Sequence, residues 1–176
     1  MRQGPEIWIR GPVAAPEPPE PPDRGPTAPE PPLAPAPTPA EAPGFSWIGV
    51  HGGAGVTTLA GVFGGQDCGR GWPGPGDPSS VLLVARTHAA GLTAVGRAVE
   101  EFRLGRVPTG VGLDSVVLVA DAPGRLPRQL AQRVRLLESA VDVHRVPWVP
   151  AWRLDGTYEG PPRGTESLVR RTRRVH

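Results

Sequence analysis

The residues best suited to chemistry form the run Gly52-Gly53-Ala54-Gly55-Val56-Thr57-Thr58, which follows a short apolar stretch, Trp47-Ile48-Gly49-Val50, and leads into a helix start. Three glycines let the backbone turn through conformations closed to other residues. The N–H groups of Gly53 to Thr58 can then point into one concavity at a helix N-terminus. That is the geometry of a phosphate cradle. Within it the Thr57 hydroxyl is placed to meet a magnesium ion carried in on a nucleotide. Where a phosphate-binding loop of this type puts the lysine that reaches the terminal phosphates, the sequence has Val56. No lysine can arrive from another loop either, because every basic residue of the chain is an arginine.

Other residues have two readings each. Asp121 follows the apolar run from Ser115 to Ala120, and open α/β sheets bring ligands to the carboxyl ends of their strands; Asp121-Ala122-Pro123-Gly124 is equally an ordinary turn. Arg86 ends the apolar run Val81 to Ala85 and can meet a phosphate, while Thr87 and His88 beside it can cap the next helix. Gly53 to Thr58 is also a near miss of the dinucleotide fingerprint, with Arg86 the residue type that accommodates an NADP 2′-phosphate. His51, His88, His144 and His176 are too scattered for a metal site, and the single Cys68 excludes an internal disulfide framework.

The elements that must position these residues are legible from periodicity. Ser46 to Val50 reads as a short strand and Thr57 to about Gly64 as a short helix. Gln66 to Ser80 is dense in Gly and Pro and reads as a loop. Val81-Leu82-Leu83-Val84-Ala85 is apolar without alternation, as a strand covered on both faces should be. Leu92, Val95, Val99 and Phe102 recur at spacings of three and four and share one helix face. Ser115 to Ala120 is a second buried strand. Pro127 opens a helix striped by Leu130, Val134, Leu137 and Val141, and Val143 to Val146 is a fourth strand cut off by Pro147. Strand and helix alternate, which predicts a small parallel sheet with flanking helices and right-handed crossovers.

Composition divides the chain into three. Pro 25 and Gly 24 together exceed a quarter of the 176 residues, so part of the chain is expected to be disordered. Residues 1–44 hold three Arg against six acids, residues 45–154 eleven against eight, and residues 155–176 five against three. The predicted order is a disordered Pro-rich arm (1–44), an α/β domain (45–154) and a basic flexible tail (155–176) with Arg170 to Arg174 at its centre. Pro18-Pro19-Glu20-Pro21 and its neighbours suit either a spacer or a ligand for a proline-recognising partner. The island Glu6-Ile7-Trp8-Ile9-Arg10 can dock on the domain or on another protein. No apolar run approaches the ~20 residues needed to cross a bilayer, and the reading is cytoplasmic.

The order of these pieces resembles a shortened member of the ParA/MinD branch of P-loop NTPases, whose deviant Walker A loop reads Lys-Gly-Gly-Xaa-Gly-Lys-Thr-Thr. His51, Gly52, Gly53, Ala54, Gly55, Val56, Thr57 and Thr58 correspond to it, with both lysines replaced. Val81 to Thr87 with Ala90-Gly91-Leu92 is similar to a late strand and helix of that family. Val116 to Asp121 is similar to its next strand, and Val146-Pro147 to its last. The two strands that carry the family's switch regions and Walker B aspartate have only a Gly/Pro loop in their place. The closing Pro147 to Arg153 stretch is also similar to uncharacterised actinobacterial proteins.

What the resemblance implies is a reduced P-loop-like domain that holds ATP or GTP with Mg²⁺ on Gly52 to Thr58. Asp121 stands at the base-contacting position, where an acid suits the donors of guanine. Exchanging a charge-assisted contact for the Val56 alkyl group costs ~2–3 kcal/mol of binding, and transfer of a phosphoryl group needs cations and metal-holding acids that the run lacks. The expected function is a non-catalytic binding or regulatory module with weak nucleotide or phosphate binding. One alternative is an adaptor with an empty loop that works through its Pro-rich arm, a Trp148/Trp152 surface and the Arg170–Arg174 cluster, the last able to touch nucleic acid or acidic lipid. A second is an NADP-binding, oxidoreductase-like domain.

Overall fold

A computed structural model of the protein describes residues 44–154 and 160–174; the Pro-rich arm up to Pro43 lies outside the described residues. In chain order the elements are β1 (Ser46–Gly49), α1 (Val56–Phe63), β2 (Gln66–Asp67), β3 (Ser80–Arg86), α2 (Ala89–Arg103), β4 (Gly112–Val119), α3 (Arg128–Glu138), β5 (Val143–Val146), α4 (Ala151–Leu154) and α5 (Glu166–Arg173). The five strands form one parallel sheet in the order β2-β1-β3-β4-β5.

Strand periodicity divides the apolar residues between two faces. Trp47, Leu82, Val84, Val117 and Val119 pack under Val56, Leu59 and Phe63 of α1, with Leu168 of α5 in the same cluster. Ile48, Leu83, Ala85, Val116 and Leu118 meet Leu92, Val95 and Val99 of α2 and Val134 and Leu137 of α3. This is why Val81–Ala85 carries apolar side chains at every position: each one is covered from one side or the other. Burying a side chain the size of Leu82 or Leu83 contributes roughly 1.5–3 kcal/mol.

The 66–80 stretch departs from the expected loop. Gly64-Gly65 turns the chain back beside β1, where Gln66 N–H donates to the Phe45 carbonyl (3.0 Å) and Cys68 N–H to that of Trp47 (3.1 Å). Two paired residues are too few to show any periodicity, so the fifth strand was invisible to pattern. It also places an acid, Asp67, at the end of a strand. The Asp67 carboxylate accepts from Gly69 N–H (2.7 Å).

The C-terminal segment also departs from a flexible basic tail. Arg170, Arg171 and Arg173 lie on α5, which the fully buried Leu168 anchors to the sheet beside Val146. Arg171 pairs with the Asp114 carboxylate, whose side chain is only 5% exposed. Arg170, Arg173 and Arg174 remain exposed. No helix among the described residues is long and apolar enough to cross a membrane.

The strand order reverses between β1 and β3. In sheets of this kind the carboxyl ends of the two strands flanking the reversal open a crevice for ligands. The glycine run leaves β1 at that point and Arg86 ends β3 across from it.

Candidate functional site

The loop between β1 and α1 is fixed by its glycines. Gly53 (φ 71°) and Gly55 (φ 106°) hold left-handed backbone that a side chain disfavours. Gly55 is the N-cap of α1, and no side chain caps the helix. The N–H groups of Val56 and Thr57 in the first turn therefore have no intrahelical partner and carry the positive end of the helix dipole. Gly52, Gly53, Ala54, Gly55, Val56, Thr57 and Thr58 all line one cavity of about 360 Å³, together with Gly49, His51, Gly69, Arg70 and Arg86. Thr57 is exposed at its mouth. Ala54 and Val56 contribute backbone only, for their side chains are buried in the core under α1 (3% and 6% exposed). Position 56 thus points into the core.

One of the two cations at this cavity, Arg86, comes from another strand. Arg86 Nε donates to the Gly53 carbonyl at 2.7 Å, and its guanidinium lies about 4.0 Å from where a Cβ on Gly55 would stand. Burial, with the Arg153 guanidinium second, pulls Arg86 below the ordinary arginine value, while Asp121 opposes the shift. The side chain is still cationic at neutral pH.

Two histidines brace this arrangement. His51 Nε2 accepts from Arg86 N–H (3.0 Å) while Nδ1 lies 2.9 Å from the Gly52 carbonyl, a pattern that requires the neutral tautomer protonated on Nδ1. His88 caps α2 by accepting from Gly91 N–H on Nδ1 (2.9 Å), and the two rings stand 5.0 Å apart. Thr87, the other candidate cap, accepts from Asp121 N–H instead (3.1 Å). A Cβ on Gly91 would strike the Arg86 carbonyl oxygen and reach 3.0 Å from His51 Nε2, so the start of α2 sits against the end of β3 only because residue 91 has no side chain.

On the far side of the loop, Pro147 to Arg153 folds inward. Trp152 packs on the core under α1, and Trp148 lies beneath the Arg153 guanidinium, 4.5 Å from its centroid. With Gly55, Thr58, Leu59 and Arg86 they leave a gap of only about 30 Å³. The tryptophans thus cover the end of the sheet.

Asp121 does not join the glycine cavity. It lines a separate groove of about 680 Å³ at the carboxyl ends of β4 and β5, beside the starts of α2 and α3. Asp67, the acid at the end of β2, is likewise absent from the lining of the glycine cavity. Sequence reasoning missed His51 as a brace and Arg70 as a second cation at the cavity. His51 was legible only as the residue before the glycines, and Arg70 depended on a two-residue strand.

No curated protein and no solved structure matches the chain. Residues 45–170, from the residue before β1 to the middle of α5, match the family described as "Family of unknown function (DUF6668)". The chain belongs to that family.

Proposed function

We propose that this protein is a non-hydrolysing phosphate-binding module of P-loop-like layout, which receives the phosphates of a nucleotide or a smaller phosphorylated ligand on its glycine loop. One observation carries the reading: a glycine loop leaves the end of β1, enters the uncapped N-terminus of α1 and shares its cavity with Arg86 and Arg70. Backbone N–H groups, a helix dipole and guanidinium groups are the three donors that phosphate oxyanions take. The resemblance of His51 to Thr58 to the deviant Walker A loop agrees with this. The assignment to ATP or GTP with Mg²⁺ on Thr57 belongs to the same proposal.

Binding without cleavage follows from where the charges are. Arg86 reaches the loop from the side and is already bonded to Gly53, Val56 is turned into the core, and the Asp67 carboxylate is bonded to Gly69. Each is already engaged within the fold, whereas transfer of a phosphoryl group relies on cations and metal-holding acids arrayed around that group. An NADP site fits less well, because Arg86 touches the loop that would hold the pyrophosphate and is not displaced from it by the length of a nucleoside.

One observation favours a second reading. His51 and Arg86 already tie the loop to β3, so the bend can serve as a structural corner in an adaptor. Isothermal titration with ATP, GTP and pyrophosphate, with and without magnesium, separates the two. Saturable heat that disappears in Gly53→Asp supports the phosphate module. No heat with any of the three supports the adaptor, and phosphate release that depends on Thr57 contradicts both.

A further inference from the structure

The groove at the ends of β4 and β5 has no role in the phosphate reading, yet it is the larger hollow and its chemistry is different. About 680 Å³ lies within the range that accommodates a drug-sized molecule. Its floor is Leu118, Val134 and Val146, all buried, and its walls are the half-buried Leu126, Leu130 and Ala131. It exists because the chain loops outward from Asp121 to Pro127 before α3 begins. Of α3 only Val134 and Leu137 are fully buried, while Leu130 in its first turn is half-buried against the same core.

The charged groups lining this groove are unequal in sign. Arg125, Arg145 and Arg163 line it against one acid, Asp121. Arg145 is engaged by Glu138 at 2.6 Å, whereas Arg125 and Arg163 have no acidic partner among the described residues. An apolar floor beneath two unpaired guanidinium groups repels cations and leaves those groups unused by a neutral guest. The geometry points to a second ligand site, for a small organic acid with an apolar body, the body on Leu118, Leu130 and Val134 and the anionic head at Arg125 and Arg163. Carboxylate and sulfonate heads both suit guanidinium.

The test uses 1-anilinonaphthalene-8-sulfonate, an aromatic sulfonate that fluoresces in apolar surroundings, with decanoate and decanol as competitors on the intact chain. The expected result is saturable one-to-one enhancement, reversed by decanoate and not by decanol at equal concentration. Ala131→Trp fills the groove and should abolish the enhancement with the far-ultraviolet circular dichroism unchanged. The exposed pair Arg125→Glu and Arg163→Glu should weaken decanoate by about tenfold, as the loss of charge-assisted contacts implies. Gly53→Asp, outside the groove lining, should leave the sulfonate enhancement and its reversal by decanoate unchanged whatever it does to phosphate binding, which keeps this result separate from the fate of the phosphate reading. If Ala131→Trp fails to fold, the arginine pair decides. Enhancement that survives in a folded Ala131→Trp, decanoate displacement indifferent to the arginine pair, displacement by decanol as strong as by decanoate, or no saturable enhancement would each overturn the assignment.

Discussion

Two alanine substitutions in α2 should move stability in opposite directions, and the difference reports on how the glycine loop is held. Gly96 sits in the middle of the helix with nothing within 4 Å of an added Cβ. Replacing glycine by alanine in a helix interior gains about 0.8–1 kcal/mol, so Gly96→Ala should stabilise by close to that amount. Gly91→Ala has at most the same intrinsic gain, but its methyl group meets the Arg86 carbonyl oxygen and lies 3.0 Å from His51 Nε2. Both are held by sheet hydrogen bonding or by the loop, so the start of α2 must move away from β3. Crowding of this kind costs about 1–3 kcal/mol. The movement also strains the bond from Gly91 N–H to His88 and the bond from Arg86 N–H to His51, each worth about 1 kcal/mol. The net expectation is a loss of about 2 kcal/mol, and a gap of about 3 kcal/mol between the variants. Urea denaturation of both proteins measures it, and with about 3–6 °C of Tm per kcal/mol at this size a melt will also resolve it. Equal stabilisation by the two alanines would refute the claim that α2 and β3 meet in van der Waals contact at Gly91.

Arg86→Met keeps the stem and removes the guanidinium, so pyrophosphate affinity by titration calorimetry should fall about 10- to 100-fold while stability changes by only about 1 kcal/mol. Leu168→Ala should destabilise by about 2–4 kcal/mol, measured by urea unfolding, because Leu168 is fully buried on α5; a change under 0.5 kcal/mol would show that the helix is not docked. Burial pushes the His144 pKa down, with Asp142 opposing. The unfolded chain therefore binds more protons than the folded one below the ordinary histidine value of about 6.5. Stability should fall as pH drops from 7.5 to 5.5, and His144→Gln should flatten the slope in pH-dependent melts. Burial likewise raises the Cys68 thiol, with Asp77 and Asp67 adding to the shift and Ser46 opposing it, so a disulfide reagent at pH 7.5 should label Cys68 more slowly than free cysteine, and faster in Asp77→Asn.

The sheet was legible because its central strands carry unbroken apolar runs, Val81–Ala85 and Val116–Val119. β3 and β4 could be read as covered on both faces from Val81–Ala85 and Ser115–Ala120 alone, and the stripes of α2 and α3 named the covering helices. β2 was not legible, since two residues carry no period and are held by backbone bonds to Phe45 and Trp47. The docking of α5 was hidden for a different reason. One leucine and one buried threonine among four arginines read as a solvated end until β5 is in place to receive them. Within the site, the glycines could be found by type, but their partners could not. The Arg86 side chain that meets Gly53 comes from 33 residues away, and the His51 ring beside the glycines finds its backbone partner 35 residues away; Asp121, which follows its strand as the pattern requires, lines the neighbouring groove.

The burial of Val56 explains why the cation at this loop comes from β3. A Cβ on Gly49 would stand 3.0 Å from Val56 Cγ2, so the chain leaving β1 and the first residue of α1 are in contact through that side chain. A lysine at position 56 with the same backbone would start beneath Leu59 and Trp47, and its ammonium would have to leave the core or be buried at a cost of several kcal/mol. Arg86 needs no such detour. It ends a strand adjacent to β1, and the bond from its own N–H to His51 fixes where its side chain begins. A guanidinium in that position approaches the loop from the side and meets Gly53 first. On the proposed phosphate reading the same guanidinium that bonds the loop would also complement an anion on the first turn of α1, so anion affinity and the hold on the loop would rest on a single residue.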